Sequence, residues 1–317
     1  MGPKVVITDS SYPDTAYELE ELSTVDATVE RIDAQTPAEV IERAADADAL
    51  LNQETELTAE VFDALDGLRA VARYGVGVDN IDLAAADEHG VEVINVPSYC
   101  EEEVATHAMS LLLACVRRVP LYDAQVKRGE WDWKDGSPIR RLGGETVGFV
   151  AFGNIAQRFA DLLSGFDLEF LAYDPYQSEA VFDYYGVESV SFEELIDRAD
   201  IASIHAPLTE ETRNLFDAET FTRMDDDALL INVARGSIVD TNALAEALRN
   251  DQIGGAGLDV LPEEPPGESP LFDLDDVVLT PHVAWYSRDS IEDLRRSAAR
   301  GVAQVLRGET PDNRVVT

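Results

Sequence analysis

Lysine is almost absent from this chain: Lys4, Lys127 and Lys134 are the whole complement among 317 residues. Cysteine is scarcer still, with Cys100 and Cys115 alone and no C-x-x-C pair, which excludes a disulfide framework and a cysteine-based zinc site. Glu101, Glu102 and Glu103 follow Cys100 and disfavour its thiolate, so an inert thiol is expected. No cluster of His, Cys, Asp and Glu has metal-ligand spacing, and no metal is expected. No apolar run approaches the roughly 18 residues of a membrane span. The start, "MGPKVVITDS", lacks the graded regions of a signal peptide. The expectation is a soluble cytoplasmic protein with no membrane partner.

Negative charge is abundant: 63 acidic against 24 basic residues give a formal charge of -39. Such a surface repels itself in dilute buffer, whereas in molar salt the Debye length shrinks to about 3 Å and the repulsion is screened. The acids are spread along the chain rather than gathered in a tail, which fits adaptation to concentrated salt better than an acidic face for one basic partner. Nucleic acid is excluded as a partner on the same ground.

The hydrophobic pattern alternates between strand-like and helix-like segments. Residues 4–9, 27–32, 48–52, 68–74 and 91–96 read as strands, with helices over 36–46 and 81–90. Thr36 before Pro37 starts the first of these helices and Gly90 stops the second. A long helix is predicted over 100–119, then an irregular stretch with Trp131 and Trp133. The alternation restarts with six predicted strands at 145–152, 168–174, 200–206, 228–234, 254–260 and 276–280, and a last amphipathic helix spans 287–308. The predicted fold class is α/β, with two Rossmann-like, doubly wound parallel-sheet domains and a cleft between them. Residues 1–99 with 289–317 are expected to form one domain, flavodoxin-like, and residues 100–288 the other, Rossmann-like.

The stretch "VGFVAFGNIAQ" (147–157) has the shape of a dinucleotide turn, but its three glycine places read Ala151, Gly153 and Ala156. Gly153 keeps the place where backbone must approach a pyrophosphate, with Asn154 and Ile155 opening the helix behind it; Ala156 is an accepted variant for close helix packing. Ala151 is the departure, tolerable if its φ is negative. Asp174 follows Gly153 by about twenty residues, at the end of the next predicted strand, where a carboxylate accepts hydrogen bonds from an adenosine ribose. With no arginine just after it, NAD is expected over NADP.

Three reactive residues follow at the carboxyl ends of later predicted strands: Arg235, Glu264 and His282. Reduction of a 2-keto acid needs a carboxylate anchor, a proton donor for the ketone oxygen and a hydride. Arg235 offers a permanently charged fork, His282 offers a ring that can give and take a proton, and Glu264 would hold the ring and favour the imidazolium. Singly, each residue is equally at home as a loop salt bridge, a solvated charge or a strand-end histidine. Of the other histidines, His89 reads as an exposed helix end, and His107 and His205 read either as cleft residues or as structural ones.

The motifs "RYGVGVDNID" (73–82), "NVPSYCEEEVATHAMSLLL" (95–113), "HAPLTEET" (205–212), "INVARGSIVD" (231–240), "GAGLDVLPEEP" (255–265) and "TPHVAWYS" (280–287) resemble those of the D-isomer-specific 2-hydroxyacid dehydrogenases over essentially the full length. Trp285 and Tyr286 after the histidine are most similar to the C-terminal binding protein branch. The resemblance implies that Arg235 binds substrate, Glu264 pairs with the histidine, His282 is the acid/base and Asp259 holds the nicotinamide. It further implies substrate contacts from the Val76 and Gly77 amides and Trp285, and cofactor contacts from Ala206, Pro207, Thr212, Val233 and Ala234. Pro262 stands where many members carry an acid. The implied activity is NAD-dependent reduction of a 2-keto acid to a 2-hydroxy acid by a homodimer that joins through residues 100–145.

The rival reading is an NAD(H)-sensing, corepressor-like scaffold, against which stand the dispersed acids and the lack of a partner-binding tail. A formate dehydrogenase is disfavoured because Glu264 is acidic, and a phosphoglycerate dehydrogenase with a regulatory domain because the chain stops at Thr317. Glyoxylate, hydroxypyruvate and branched keto acids are all compatible substrates.

Overall fold

A computed structural model describes residues 2–315. The chain divides into two compact units, 1–99 with 287–317 and 100–286. The first begins β1 (Lys4–Ile7), α1 (Ala16–Leu22), β2 (Thr28–Arg31), α2 (Pro37–Arg43), β3 (Ala49–Asn52), α3 (Ala59–Ala64), β4 (Ala70–Arg73), α4 (Leu83–Glu88) and β5 (Glu92–Ile94). Its parallel sheet has the order β2-β1-β3-β4-β5. The two-residue period of the strands decides which side chains meet. Val6, Leu50, Val71 and Val93 enter one apolar layer, and Val5, Ile7, Ala49, Leu51, Ala70 and Ala72 the other. Thr36 does start α2, in a full capping box with Glu39 and with Pro37 in the first turn.

The second unit runs α5 (Glu101–Arg117), α6 (Val119–Lys127), β6 (Thr146–Val150), α7 (Asn154–Leu163), β7 (Glu169–Tyr173), α8 (Glu179–Tyr185), β8 (Glu188–Ser189), α9 (Phe192–Arg198), β9 (Ile201–Ile204), α10 (Ala218–Arg223), β10 (Leu229–Asn232), α11 (Thr241–Arg249), β11 (Gly255–Leu258) and β12 (Val277–Leu279). Its seven parallel strands lie in the order β12-β11-β10-β9-β6-β7-β8. Two expectations change here. The long helix expected over 100–119 is α5, which stops at Arg117 because Arg118 adopts a left-handed φ of 49°, and a second helix that was not expected, α6, follows it through Pro120 to Lys127. The sheet has seven strands rather than six, since β8 is a two-residue edge strand too short to carry a hydrophobic period. Among the described residues no single helix is long and apolar enough to cross a membrane; α5 and α6 reach that length together but bend by 64°.

The chain closes with α12 (Arg288–Leu306), which packs on α1, β4 and β5 of the first unit. Ser287 caps it, accepting from Ser290 N–H at 2.9 Å. Arg295 of α12 donates to buried Glu18 of α1 at 2.7 and 2.8 Å, and the Tyr74 hydroxyl donates to the same carboxylate at 3.0 Å, so this buried charge is matched by partners.

Candidate active site

In an open parallel sheet, ligands bind beyond the carboxyl ends of the strands, where the strand order reverses. In the second unit that point lies between β6 and β9. All strands being parallel, the residues after β6, β7, β9, β10, β11 and β12 share one edge of the sheet. Every residue singled out from the sequence between Ala151 and Trp285 follows one of these ends.

The turn after β6 is not built as expected: Ala151 has a φ of +68°, not a negative one. The left-handed region brings its Cβ against the neighbouring carbonyl and costs about 1–2 kcal/mol in a non-glycine residue. The surroundings hold it there. Ala151 N–H donates to Tyr173 O at 2.9 Å, and Phe152 N–H to Asp174 Oδ2 at 2.9 Å. Gln157 and Gln177 both donate to Phe152 O, at 2.9 and 3.0 Å. These two glutamines went unread in the sequence because their partner is a main-chain carbonyl. Asp174 thus braces the turn itself, its other oxygen accepting from Tyr176 N–H at 2.9 Å.

Gly153 caps α7 with φ -77° and ψ -171°, which any residue adopts, and a Cβ added there meets no atom within 4 Å. Packing therefore does not require glycine at this place, whereas close approach of a phosphate to the α7 amides would. Asn154 Nδ2 donates to Glu101 at 2.7 Å, and Ala156 is fully buried against the core, as the third fingerprint place demands. Ala206 is buried after β9; Thr212 donates to Pro207 O at 2.7 Å and shapes that loop. His205 is half-buried beside Phe149 and Phe159, its Nε2 2.9 Å from Ser203 Oγ, and desolvation pushes its pKa down to about 3.

After β10, buried Asn232 spans the turn, accepting from Ala234 N–H and donating to Arg235 O, both at 3.0 Å. The adjacent Gly236 lies so close to Leu261 and Pro262 backbone that an added Cβ would sit 2.0–2.4 Å from it. Glycine here lets the Arg235 loop rest on the loop that carries Glu264. Glu264 Oε1 accepts from Leu261 N–H at 2.9 Å and its Oε2 lies 2.5 Å from His282 Nδ1. Burial opposes its charge, but the bond and charge of His282, with help from Leu261 N–H and Arg235, hold its carboxyl below the usual range. With Nδ1 engaged, Nε2 is the ring nitrogen left to face a substrate.

His282 itself has a φ of +51°. Its N–H donates to Asp259 O at 2.8 Å, while the Asp259 carboxylate, 1% exposed, accepts from Thr280 Oγ1, Val283 N–H and Ala284 N–H at 2.6–2.9 Å. Trp285 Nε1–H donates to His282 O at 2.9 Å. The structure therefore brings Arg235, Glu264 and His282 together on neighbouring strand ends. Val76 and Gly77 belong to the first unit, in the loop after β4, where Val76 O accepts from Asn95 Nδ2 at 2.7 Å.

A glycine-approachable helix end, a carboxylate on the next strand and a histidine–glutamate pair beside an arginine are parts that an NAD-dependent oxidoreductase requires. The family described as "D-isomer specific 2-hydroxyacid dehydrogenase, NAD binding domain" matches residues 109–284. The chain is 40% identical over 284 residues to the glyoxylate reductase of Korarchaeum cryptofilum, covering 87% of this chain and 85% of that one. It is 38% identical over 312 residues to the D-3-phosphoglycerate dehydrogenase of Methanocaldococcus jannaschii, covering 98% of this chain but only 59% of that one. Among solved structures, the D-lactate dehydrogenase of Aquifex aeolicus, complexed with NAD and lactic acid, superposes with a TM-score of 0.89 at 27% identity over 99% of both chains. The chain belongs to the D-isomer-specific 2-hydroxyacid dehydrogenase family and is an NAD-dependent oxidoreductase acting on CH–OH groups. The dehydrogenases and reductases it matches do not favour the corepressor-like scaffold.

Proposed function

We propose that the protein reduces a short 2-keto acid to the corresponding 2-hydroxy acid, with His282 as the acid/base. The observation that carries this is the 2.5 Å contact of His282 Nδ1 with Glu264, beside the Arg235 loop. Arg235 binds the substrate carboxylate through its two-pronged guanidinium. Glu264 fixes the imidazole plane and keeps Nδ1 protonated, so that Nε2–H gives its proton to the C2 oxygen; in the oxidative direction Nε2 takes it back. Bound NADH supplies the hydride. Gly153, Asn154 and Ile155 would cradle its pyrophosphate, Asp174 its ribose, and Ala206, Pro207, Thr212, Val233 and Ala234 the rest of the dinucleotide. Asp259 would reach the nicotinamide with the Oδ2 acceptor capacity left beside Ala284 N–H. Val76, Gly77 and Trp285 would flank the substrate. Residues 1–99 with 289–317 would then be the substrate domain and 100–288 the NAD-binding domain.

The substrate is drawn from glyoxylate, hydroxypyruvate and branched keto acids, and the likeness to a glyoxylate reductase puts glyoxylate first. Within the family, Trp285 and Tyr286 support placement near the C-terminal binding protein branch. Trp131 is 89% and Trp133 70% exposed, next to exposed Val119 and Val126, which supports a homodimer joined through this segment. The acidic composition supports a cytoplasm of high salt. The deciding experiment follows NADH oxidation in molar KCl with the keto acids, and NAD reduction with D-3-phosphoglycerate. His282→Gln should abolish turnover while NADH still binds; near-wild-type kcat in that variant removes the assignment.

A further inference from the structure

A carboxylate buried as deeply as Asp259 must be hydrogen-bonded, and counting hydrogens shows by whom. Oδ1 accepts from Thr280 Oγ1 at 2.6 Å and Val283 N–H at 2.9 Å, and Oδ2 from Ala284 N–H at 2.8 Å. All three donors come from the turn that carries His282. One more group reaches this cluster from elsewhere in the fold: His107 of α5, whose Nε2 is 2.9 Å from Thr280 Oγ1 and 3.5 Å from Asp259 Oδ1. Thr280 has a single hydroxyl hydrogen, and it is used on Asp259. Its oxygen can therefore only accept from His107, and His107 must carry its proton on Nε2. The imidazole N–H is thus aimed at the Thr280–Asp259 pair.

This matters because the turn is not relaxed. His282 sits at φ +51°, a conformation that persists in a non-glycine residue only where its surroundings over-determine it. Asp259 supplies that constraint from both of its ends. Its carbonyl takes His282 N–H, and its carboxylate takes the two amides that follow. His107 anchors the carboxylate in turn to a helix that packs along β10, β11 and β12.

We infer that His107 is a positioning residue for the acid/base: through Thr280 and Asp259 it holds the 280–284 turn in the left-handed conformation that sets the His282 ring against Glu264. The inference rests on the reading of His282 as the proton donor, but its structural half is independent of turnover. His107 touches neither substrate nor reacting atoms in this scheme. What it contributes is one N–H, placed by a rigid helix, beneath a strained turn.

The test compares His107→Leu, which removes the donor, with His107→Gln, whose amide N–H reaches the same place. Thr280→Val removes the relay from its other side. Two readouts are taken: steady-state kinetics with NADH and glyoxylate, and the proton NMR spectrum of the apoprotein, where the 2.5 Å His282–Glu264 contact should give a strongly downfield ring N–H signal. His107→Leu and Thr280→Val should lower kcat at least tenfold and broaden or shift that signal, with NADH Kd within twofold of wild type; His107→Gln should restore both. Unchanged signal and kcat in His107→Leu would overturn the inference, as would a glutamine variant no better than leucine. Should wild type turn over no keto acid, the proposed function fails, and the NMR comparison still decides the positioning role by itself.

Discussion

Gly153→Ala separates the demands of the fold from those of the cofactor. At φ -77° and ψ -171°, with nothing within 4 Å of the new Cβ, the folded chain accepts a methyl group without strain. Restricting the unfolded chain stabilises by about 0.4–1 kcal/mol, and replacing glycine by alanine at a helix N-cap costs about 0.5–1 kcal/mol, so the two offset and stability should stay level. The cofactor meets the opposite outcome, because the methyl occupies the space through which a pyrophosphate approaches the α7 amides. A charge-assisted hydrogen bond is worth about 1.5–3 kcal/mol, so losing one raises NADH Kd roughly 10- to 150-fold. Urea unfolding and NADH fluorescence titration, both in molar KCl, measure the two effects. Gly148→Ala is the converse control. Its Cβ would lie 2.7 Å from Leu195 Cδ2 and 2.9 Å from Ala199 Cβ, so it should destabilise by about 1–3 kcal/mol while folded molecules keep their NADH affinity. A well-folded Gly153→Ala protein with NADH Kd within twofold of wild type would refute the placement of the pyrophosphate.

Relief of the left-handed strain at Ala151 offsets the added freedom of the unfolded chain, so Ala151→Gly should gain up to about 1 kcal/mol. Ala151→Val should lose more than about 1 kcal/mol, and equal urea midpoints for the two variants would show that the turn is unstrained. His205 has a depressed folded pKa of about 3, so it stays neutral in the fold while the unfolded chain takes up a proton near pH 6.5. Its contribution is present in full above that value and is lost, at about 1.4 kcal/mol per pH unit, as pH falls toward 3. The stability difference between wild type and His205→Phe should therefore change between pH 7 and pH 4 in favour of the variant; parallel curves would contradict the neutral ring. With a net charge of -39, the unfolding midpoint should rise with KCl up to molar concentration. A midpoint indifferent to salt would remove the halophilic reading.

Much of this protein is determined by local pattern. Strand positions follow from runs such as "KVVI" and "ALLN", and the start of α2 from Thr36 and Pro37, because side-chain period and capping act over a few residues. Arg235, Glu264 and His282 were legible because each follows a strand, and parallel strands align their carboxyl ends. Tertiary structure alone decided the rest. The left-handed φ at Ala151 is imposed by Tyr173, Asp174, Gln157 and Gln177 acting on a two-residue turn, where local preference argues the other way. The break at Arg118 and the edge strand β8 carry no periodic signal. The joint hold of Asp259 and His107 on the His282 turn joins residues 173 positions apart, and no spacing rule reaches that far; only the packing of α5 on the sheet brings them together.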